Sequence, residues 1–345
     1  MRAWTRNRAV AAATATAAAA ASSLYAFNED IVRKRATRLE RLQCCTDLQR
    51  RVAADDTVAQ HSMATPIIVT GLMDAWPAMQ PGGARSWTFG NLRRRMGHTL
   101  VDAGSSTGGV PFYLVAHNAT SPSPGRHDLA LYVFDSNFEG DADYESLLED
   151  WLPLPCIAGG DVFASERARE HEDRPSWRWL LAGPPGSGTP LHQDPWGYSS
   201  WNASCVGVKR WVLFPPTVPY ATLNPPRQDL LSRAIRWLTG VEPPRSAAAF
   251  MDEVLPVLRE RGLGHIELLQ HPGEVVAFPA GWWHAVVNLT PTIAVTESFG
   301  RPCDLETVLR RLREKGLTVF AEEVEAGQQD VLASRPLVDP EVSVG

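Results

Sequence analysis

The stretch Thr189-Pro190-Leu191-His192-Gln193-Asp194 sets the expected fold, because it places a histidine and an aspartate two residues apart. In a β-strand, side chains at positions i and i+2 point to the same face, whereas in a helix they lie about 200° apart. His192 and Asp194 therefore form a chelating pair only on a strand or at its end. The spacing predicts a sheet that carries two metal ligands at the end of one strand.

A third ligand is expected from the stretch Pro279-Ala280-Gly281-Trp282-Trp283-His284, on a distant strand. Two imidazoles and one carboxylate on one side of an ion form the facial triad of non-haem Fe(II) oxygenases, which leaves coordination positions open. A structural zinc site is closed by four ligands, usually including cysteine, and no cysteine pair in this sequence has metal-ligand spacing. The alternative, an ordinary hydrogen-bonded His-Asp pair, stays open at this point.

Composition narrows the class of protein. A length of 345 residues suggests one large or two small domains, and a hydrophobic content of 44% is ample for a core. The net charge of −6 argues against a generic nucleic-acid binder, so no direct nucleic-acid binding is expected. Five cysteines without a C-x-x-C motif favour a reducing compartment.

The segment 1–28 has a composition of its own. It contains no acidic residue, carries Arg2, Arg6 and Arg8, and continues into an Ala/Thr run. This pattern fits a targeting segment of the organellar, signal-peptide or signal-anchor type, and it fits a disordered Ala-rich segment equally well. The run is short of the roughly 20 strongly apolar residues that a membrane span needs. We expect an intracellular protein, with an organellar or signal-type segment as the alternative for residues 1–28.

The rest of the chain is expected to be mainly β with flanking helices. A helical region is predicted for residues 29–60, a catalytic domain for 61–300 with a helical insertion at about 224–264, and a C-terminal helix and tail for 301–345. The C-terminal helix is the expected contact of a homodimer. Short strands separated by Pro/Gly turns indicate a sandwich or barrel. The predicted strands are residues 65–71, 131–134, 177–182, 206–214, 265–269, 274–278, 285–289 and 292–299.

A lysine on an apolar strand points to an anionic ligand. Lys209 lies within such a strand, and burying an unpaired ammonium is costly. A bound 2-oxo acid would satisfy it through its far carboxylate; the alternative is that Lys209 extends to solvent. Thr296 shares a face with Thr292, Ala294 and Ser298 on the last predicted strand. This small polar face suits a barrel lumen, and it also suits an ordinary solvent-facing side.

Together these stretches resemble the Jumonji-C (JmjC) family, and most closely the branch that contains the bifunctional arginine demethylase and lysyl-hydroxylase. The resemblance covers about residues 60–300. It rests on residues 66–78, 131–136, 183–195, 201–203, 208–215 and 272–289.

The resemblance implies a fold, two cofactors and a set of site residues. The fold would be a double-stranded β-helix, a cupin-like jelly roll flanked by helices. The cofactors would be Fe(II) and the cosubstrate 2-oxoglutarate, with His192, Asp194 and His284 as the iron ligands. The residues that would hold or line the 2-oxoglutarate pocket are Lys209, Thr296, Tyr132, Asn202, Thr189, Asn288 and Trp179.

The expected activity is that of a dioxygenase that uses O2 to hydroxylate a side chain of a protein substrate. By resemblance, lysine is the first target, and N-methyl-arginine demethylation would use the same oxidation. The alternative from another class is a catalytically silent cupin-fold binding protein. A cupin isomerase or small-molecule dioxygenase would need no clamp for an oxo acid.

Overall fold

The computed structural model describes residues 50–52, 63–104, 109–120, 131–139, 141–154, 157, 160–242 and 244–333. The strands, in chain order, are β1 Arg50–Val52, β2 Ile67–Thr70, β3 Leu100–Val101, β4 Val110–Pro111, β5 Val133–Asp135, β6 Arg178–Gly183, β7 Gly188–His192, β8 Ser199–Val206, β9 Lys209–Phe214, β10 Ile266–Gln270, β11 Glu274–Phe278, β12 Trp283–Asn288 and β13 Thr292–Phe299.

Short helices lie between and after these strands. The α-helices are α1 Phe89–Met96, α2 Phe112–Thr120, α3 Ala142–Glu145, α4 Glu166–Arg169, α5 Tyr220–Leu223, α6 Leu230–Thr239, α7 Ala247–Ala249, α8 Leu255–Glu260, α9 Leu305–Glu314 and α10 Thr318–Ala333. A π-helical segment, Phe250–Val254, joins α7 to α8. No described helix is both long and apolar enough to cross a membrane.

Two sheets form the jelly roll. One has seven strands in the order β1-β2-β11-β8-β13-β6-β5, and the other has four in the order β10-β9-β12-β7. Pairing is antiparallel except between β1 and β2. The predicted mainly-β, double-stranded β-helix fold with flanking helices is confirmed.

Alternation along β9 shows how the sequence defines the lumen between the two sheets. Trp211 and Leu213 point inward, where they pack with Val276 and Phe278 of the facing sheet. Since successive strand residues face opposite sides, Val212 and its neighbours point outward into a second apolar cluster, which the insertion helices cover. A third cluster packs α1 and α2 against the outer face of the seven-stranded sheet.

Several elements differ from the sequence-based expectation. Of the predicted helical region 29–60, only residues 50–52 are described, and they form a strand. β8 is an eight-residue strand that the sequence did not indicate, apart from Val206. The insertion does contain helices near the predicted positions.

The C-terminal region forms two helices. α9 and α10 bury Val308, Leu312 and Phe320 against Phe163 and Tyr198 of the same chain. The homodimer through this region stays a prediction. The predicted segment 1–28 lies outside the described residues.

Candidate active site

The three predicted metal ligands converge at one end of the lumen. β7 ends at His192, and antiparallel pairing sets His284 of β12 directly opposite it. Asp194 follows the end of β7. One ligand atom from each residue lies within 4.8 Å of the others, and such a group could hold a metal ion. The end of β7, which the His-x-Asp spacing predicted, therefore lies next to His284, which is distant in sequence.

The distances between the ligand atoms of this triad agree better with coordination of one shared ion than with direct hydrogen bonds between the side chains. Oδ1 of Asp194 lies 3.5 Å from Nε2 of His192 and 3.7 Å from Nε2 of His284. Good N–H···O hydrogen bonds measure about 2.7–3.2 Å, whereas two bonds of roughly 2.0–2.2 Å to one ion, at angles of about 90–110°, hold the donor atoms about 2.8–3.6 Å apart. The ordinary hydrogen-bonded pair is therefore the weaker interpretation.

Both histidines have their second nitrogen in contact with a backbone carbonyl. Nδ1 of His192 lies 2.8 Å from the carbonyl oxygen of Pro190, and Nδ1 of His284 lies 3.1 Å from that of Trp282. A proton on Nδ1 donated to each carbonyl leaves Nε2 as the free lone pair that a metal needs. The backbone thus favours the ligating tautomer of both rings.

The aspartate is held by a hydroxyl chain that the sequence analysis did not identify. The Ser200 hydroxyl donates to Oδ2 of Asp194, and it lies 2.8 Å from the Ser298 hydroxyl. Oδ1 remains directed at the two histidines. Ser298 is 98 residues from Ser200, so only strand pairing reveals the chain of contacts.

Burial and mutual contacts together set the charge states of His284 and Asp194. Burial, with the nearby charge of His192, lowers the pKa of His284 to about 4. Burial alone would raise the pKa of Asp194, but the contact with His192, the positive potential of the two imidazoles and the hydrogen bond from Ser200 outweigh it, so the pKa is lowered. A neutral imidazole and an ionised carboxylate are the forms that bind cations.

The backbone leading to the triad approaches its neighbours closely. Gly188, at the start of β7, has φ +155°, and a Cβ there would lie 2.0 Å from the carbonyl oxygen of Val286. Only glycine allows β7 to pair with β12 across the irregularity that lies between His284 and Val286.

Beyond Asp194 the chain turns through an unusual residue. Trp196 has φ +65°, in the left-handed region that non-glycine residues seldom adopt. Its side chain packs against the apolar cluster that α9 and α10 build. That packing maintains the turn two residues after a predicted ligand.

Lys209 lies on the same inner face of β9 as Trp211, deeper in the lumen. Its side chain is fully buried, and Nζ has no hydrogen-bond partner among the described residues. Burial lowers its pKa to about 7. The alternative that Lys209 reaches solvent is excluded by its 0% exposure.

Three of the other buried polar atoms that lack partners within the described residues lie on β8, β12 and β13. They are Oδ1 of Asn202, Oδ1 of Asn288 and Oγ1 of Thr292, and all three side chains are buried. Asn288 is the register partner of Lys209 across β12 and β9. Buried polar groups are nearly always hydrogen-bonded, so the unsatisfied oxygen of Asn288 beside an unpaired ammonium is what a pocket for a polar ligand should contain.

The remaining predicted pocket residues lie on β6, β7, β8 and β13 or, for Tyr132, immediately before β5. Thr296 pairs in register with Asn202 on one side and with Trp179 on the other. Its hydroxyl donates to the carbonyl of Trp201 at 2.6 Å. The Tyr132 hydroxyl lies 3.1 Å from that of Thr189, and burial raises the pKa of Tyr132 to about 12, so it stays protonated.

Trp179, the register partner of Thr296, stays a predicted pocket residue, and Gln270 joins the buried groups near Lys209. Trp179 packs on Phe134, with ring centroids 5.8 Å apart, near the edge of the large sheet. Gln270 was not predicted, yet it is fully buried and is the register partner of Lys209. Its amide donates to the carbonyls of Asn202 and Glu274 and accepts from the Trp211 indole. An isolated glutamine at a strand end gave no usable sequence signal.

A jelly roll with two histidines and an aspartate at one end of its lumen has the arrangement of non-haem iron oxygenases. Residues 179–299 match the family model described as "JmjC domain, hydroxylase". These residues form a Jumonji-C domain.

Curated proteins that are similar to this chain have names consistent with that family. The chain is 32% identical over 247 residues to bifunctional arginine demethylase and lysyl-hydroxylase psr-1 of Caenorhabditis briggsae, which covers 70% of this chain and 57% of the relative. It is 28% identical over 282 residues to arginine-specific demethylase JMJ22 of Arabidopsis thaliana, with 81% and 50% covered. It is 31% identical over 182 residues to 2-oxoglutarate and iron-dependent oxygenase JMJD4 of Mus musculus, with 52% and 38% covered. The chain spans about half the length of the first two relatives.

Proposed function

We propose that this protein is an Fe(II)- and 2-oxoglutarate-dependent dioxygenase that hydroxylates a side chain of a protein substrate. His192, Asp194 and His284 would hold the iron. Lys209, assisted by Asn202, Asn288, Thr296, Thr189 and Tyr132, would hold the cosubstrate. The names of relatives from this family include iron and 2-oxoglutarate dependence, which supports the same two cofactors here.

The observation that carries the proposal is the unpaired ammonium of Lys209. An uncompensated buried charge costs several kcal/mol, and a folded protein keeps one where a ligand neutralises it. A dicarboxylate that reaches from the metal end of the lumen to Lys209 supplies that charge. A silent binding protein would need neither the intact triad nor this lysine.

The side chains of this protein would bind the ion and the cosubstrate, orient them, and exclude water from the site. The carboxylate of Asp194, fixed by Ser200, and the two Nε2 atoms would offer three donors on one side of the ion. Trp211 and Phe278 flank the His284 ring, with centroids 6.1 and 4.4 Å away, and keep that side of the site dry. When bound, Fe(II) with 2-oxoglutarate and O2 supplies the oxidation of a C–H bond, coupled to release of succinate and carbon dioxide.

For the substrate, we propose a lysine side chain first. Support comes from the relative whose name combines lysyl-hydroxylase with arginine demethylase activity. Demethylation of N-methyl-arginine would follow from the same oxidation at a methyl group, and a relative named for arginine demethylation favours this second candidate. Both substrates present a C–H bond next to a cationic nitrogen.

The test is succinate formation by anaerobically purified full chain after addition of Fe(II), 2-oxoglutarate and oxygen. We expect turnover by the wild type and its loss in His284→Ala. The matched control is His98→Ala, since His98 is exposed and outside the triad. Equal succinate from wild type and His284→Ala would overturn the proposed metal site.

The substrate is then assigned with peptide libraries containing lysine or N-methyl-arginine. A mass gain of one oxygen atom on lysine supports hydroxylation, and loss of one methylene unit from N-methyl-arginine supports demethylation. Succinate formation without either product would retain the oxygenase and overturn both proposed targets.

A further inference from the structure

Helix α6 (Leu230–Thr239) is amphipathic in the reverse of the usual sense. Leu230, Trp237 and Leu238 are exposed to 82%, 84% and 72%, while Ser232 is the buried residue of the helix. Surface helices of globular proteins normally turn their apolar stripe toward the core. Here the apolar stripe faces solvent.

The spacing of the exposed apolar residues places them on one face of the helix. At 100° per residue, the five outward-facing apolar residues of the helix fall within an arc of about 120°, opposite Ser232, and Val241 lies just beyond the helix end. We call this surface the α6 stripe. It consists of Leu230, Leu231, Ala234, Trp237, Leu238 and Val241, all of them exposed.

The helix is firmly defined although its apolar face is uncovered. The Asp229 side chain caps its first turn by accepting from the Ser232 amide at 2.8 Å. Gly240, with φ +71°, ends it in the left-handed conformation typical of a helix C-terminus. Arg236 pairs with Glu242 and also donates to the carbonyl of Arg227. The chain therefore specifies the helix and its orientation.

Along the stripe itself the charged side chains are basic, while the acidic residues at its two ends, Asp229 and Glu242, cap the helix and pair with Arg236, respectively. Between these two acids the charged residues are Arg233 and Arg236. Arg236 is paired, whereas the exposed side chain of Arg233, which flanks the stripe, has no ion pair with a described residue. A Trp/Leu face bordered by arginine matches helices that lie in the interface of an anionic bilayer.

The size of the stripe disfavours a second copy of this chain as the occupant. A ten-residue helix is roughly 15 Å long and about 10–12 Å wide, whereas a stable protein interface takes about 800 Å² from each partner. A lipid surface accepts a single short helix without a complementary partner. Separately, residues 1–28 carry three arginines and no acid, which adds attraction to the same kind of surface.

We propose that the α6 stripe docks this protein on an anionic lipid surface, with Trp237 and the leucines inserted at the headgroup boundary. The contact is peripheral, weak and reversible, because one short helix buries little area. It brings the protein to substrates at a membrane, and it does not depend on the proposed oxygenase activity.

The test is co-sedimentation of the full chain with vesicles of phosphatidylcholine alone or with about 30% phosphatidylglycerol. We expect binding to the mixed vesicles that weakens with salt. The double variant Leu230→Gln/Trp237→Gln should lower the binding constant about tenfold or more. Arg233→Gln should lower it by a smaller factor and reduce the dependence on phosphatidylglycerol.

The matched control is Leu100→Gln/Val319→Gln, which removes two other exposed apolar side chains, 62% and 60% exposed. It should bind vesicles as the wild type does, and circular dichroism should be unchanged in both double variants. Equal binding of wild type and Leu230→Gln/Trp237→Gln overturns the proposal. So does a dimer, detected by light scattering, that this double variant dissociates.

Discussion

The two ends of the lumen differ in how completely their polar groups are paired. At the metal end, the second nitrogen of each histidine contacts a carbonyl, and Asp194 accepts from Ser200. At the other end, Nζ of Lys209 and the side-chain oxygens of Asn202 and Asn288 have no partner in the described part of the chain. The protein thus organises its ligand donors in advance and leaves unsatisfied the groups that a cosubstrate would satisfy.

This difference means that substitutions at the two ends should change different quantities. Removing a group at the metal end deletes an oriented ligand atom or its support, so iron binding and activity should fall. Removing the ammonium at the other end deletes an electrostatic penalty of the free protein, so stability rises while cosubstrate binding falls.

The largest effect is expected for Asp194→Ala. It removes the single carboxylate of the triad, so succinate formation should fall at least about 10³-fold. Iron content after anaerobic loading, measured by plasma mass spectrometry, should fall with it. Asp74→Ala, at an exposed aspartate, is the control. Normal iron content in Asp194→Ala would show that the metal end has other ligands.

Lys209→Met should weaken 2-oxoglutarate binding by about 100-fold, because a charge-assisted hydrogen bond contributes about 1.5–3 kcal/mol and the ammonium offers several donors. The same variant without cosubstrate should be more stable by about 1–3 kcal/mol, since a buried unpaired charge is removed. Calorimetric titration and thermal unfolding measure the two effects. Lys315→Met, at an exposed lysine, should change neither. A destabilised Lys209→Met protein would mean that Nζ has a stabilising partner.

Ser200→Ala should lower iron affinity or turnover by about 10–100-fold, the usual effect of removing a hydrogen bond to a metal ligand. Ser298→Ala should have a smaller effect, because Ser298 contacts Asp194 only through Ser200. Iron titration of both variants provides the measurement. Equal losses would indicate that Ser298 has a direct role.

The smallest effect is a pH dependence. In the folded protein without cosubstrate, burial lowers the pKa of Lys209 from 10.5 to about 7. The buried charge therefore destabilises the fold most below pH 7, and this penalty disappears as pH rises from 7 to 10.5, where the unfolded chain also loses its proton. Binding of the dianion needs the ammonium, so 2-oxoglutarate affinity should fall by about tenfold per pH unit above 7.

Calorimetric titrations between pH 6.5 and 9 measure this decline. The residual binding of Lys209→Met should not show it. Cys205 is the neighbouring titratable group, and burial raises the pKa of its thiol, so the thiol stays neutral over this range. The same decline in Lys209→Met would assign the pH dependence to another group.

Most of the jelly roll could be predicted because its strands alternate or form apolar runs. Lys209 stood out for the same reason: a single charge in an apolar strand has few physical explanations. The strand β8 was missed because Ser, Asn and Ala residues resemble a loop. It is a strand because β11 and β13 pair with it from both sides, and long-range pairing of this kind overrides local propensity.

The predicted ligands came from a local spacing rule, but their supporting groups did not. Ser200 and Ser298 meet through the β8–β13 register, and Gln270 reaches Lys209 through β10 and β9. Ser200 and Gln270 have no local pattern that distinguishes them from surface serine or glutamine, and the alternation that placed Ser298 on a polar strand face did not indicate its partner. The same limit applies to the α6 stripe: its periodicity predicts a helix, but the side that faces outward depends on the packing of the fold.

The packing of Trp196 against the C-terminal helices limits how far the chain can be shortened. Its left-handed backbone costs about 1–3 kcal/mol, and its side chain rests on residues of α9 and α10. A truncated protein ending at residue 300 would remove that support, and the turn after Asp194 would relax. Expression of a shortened protein should therefore retain the last two helices, even though none of their described residues belongs to the proposed metal site.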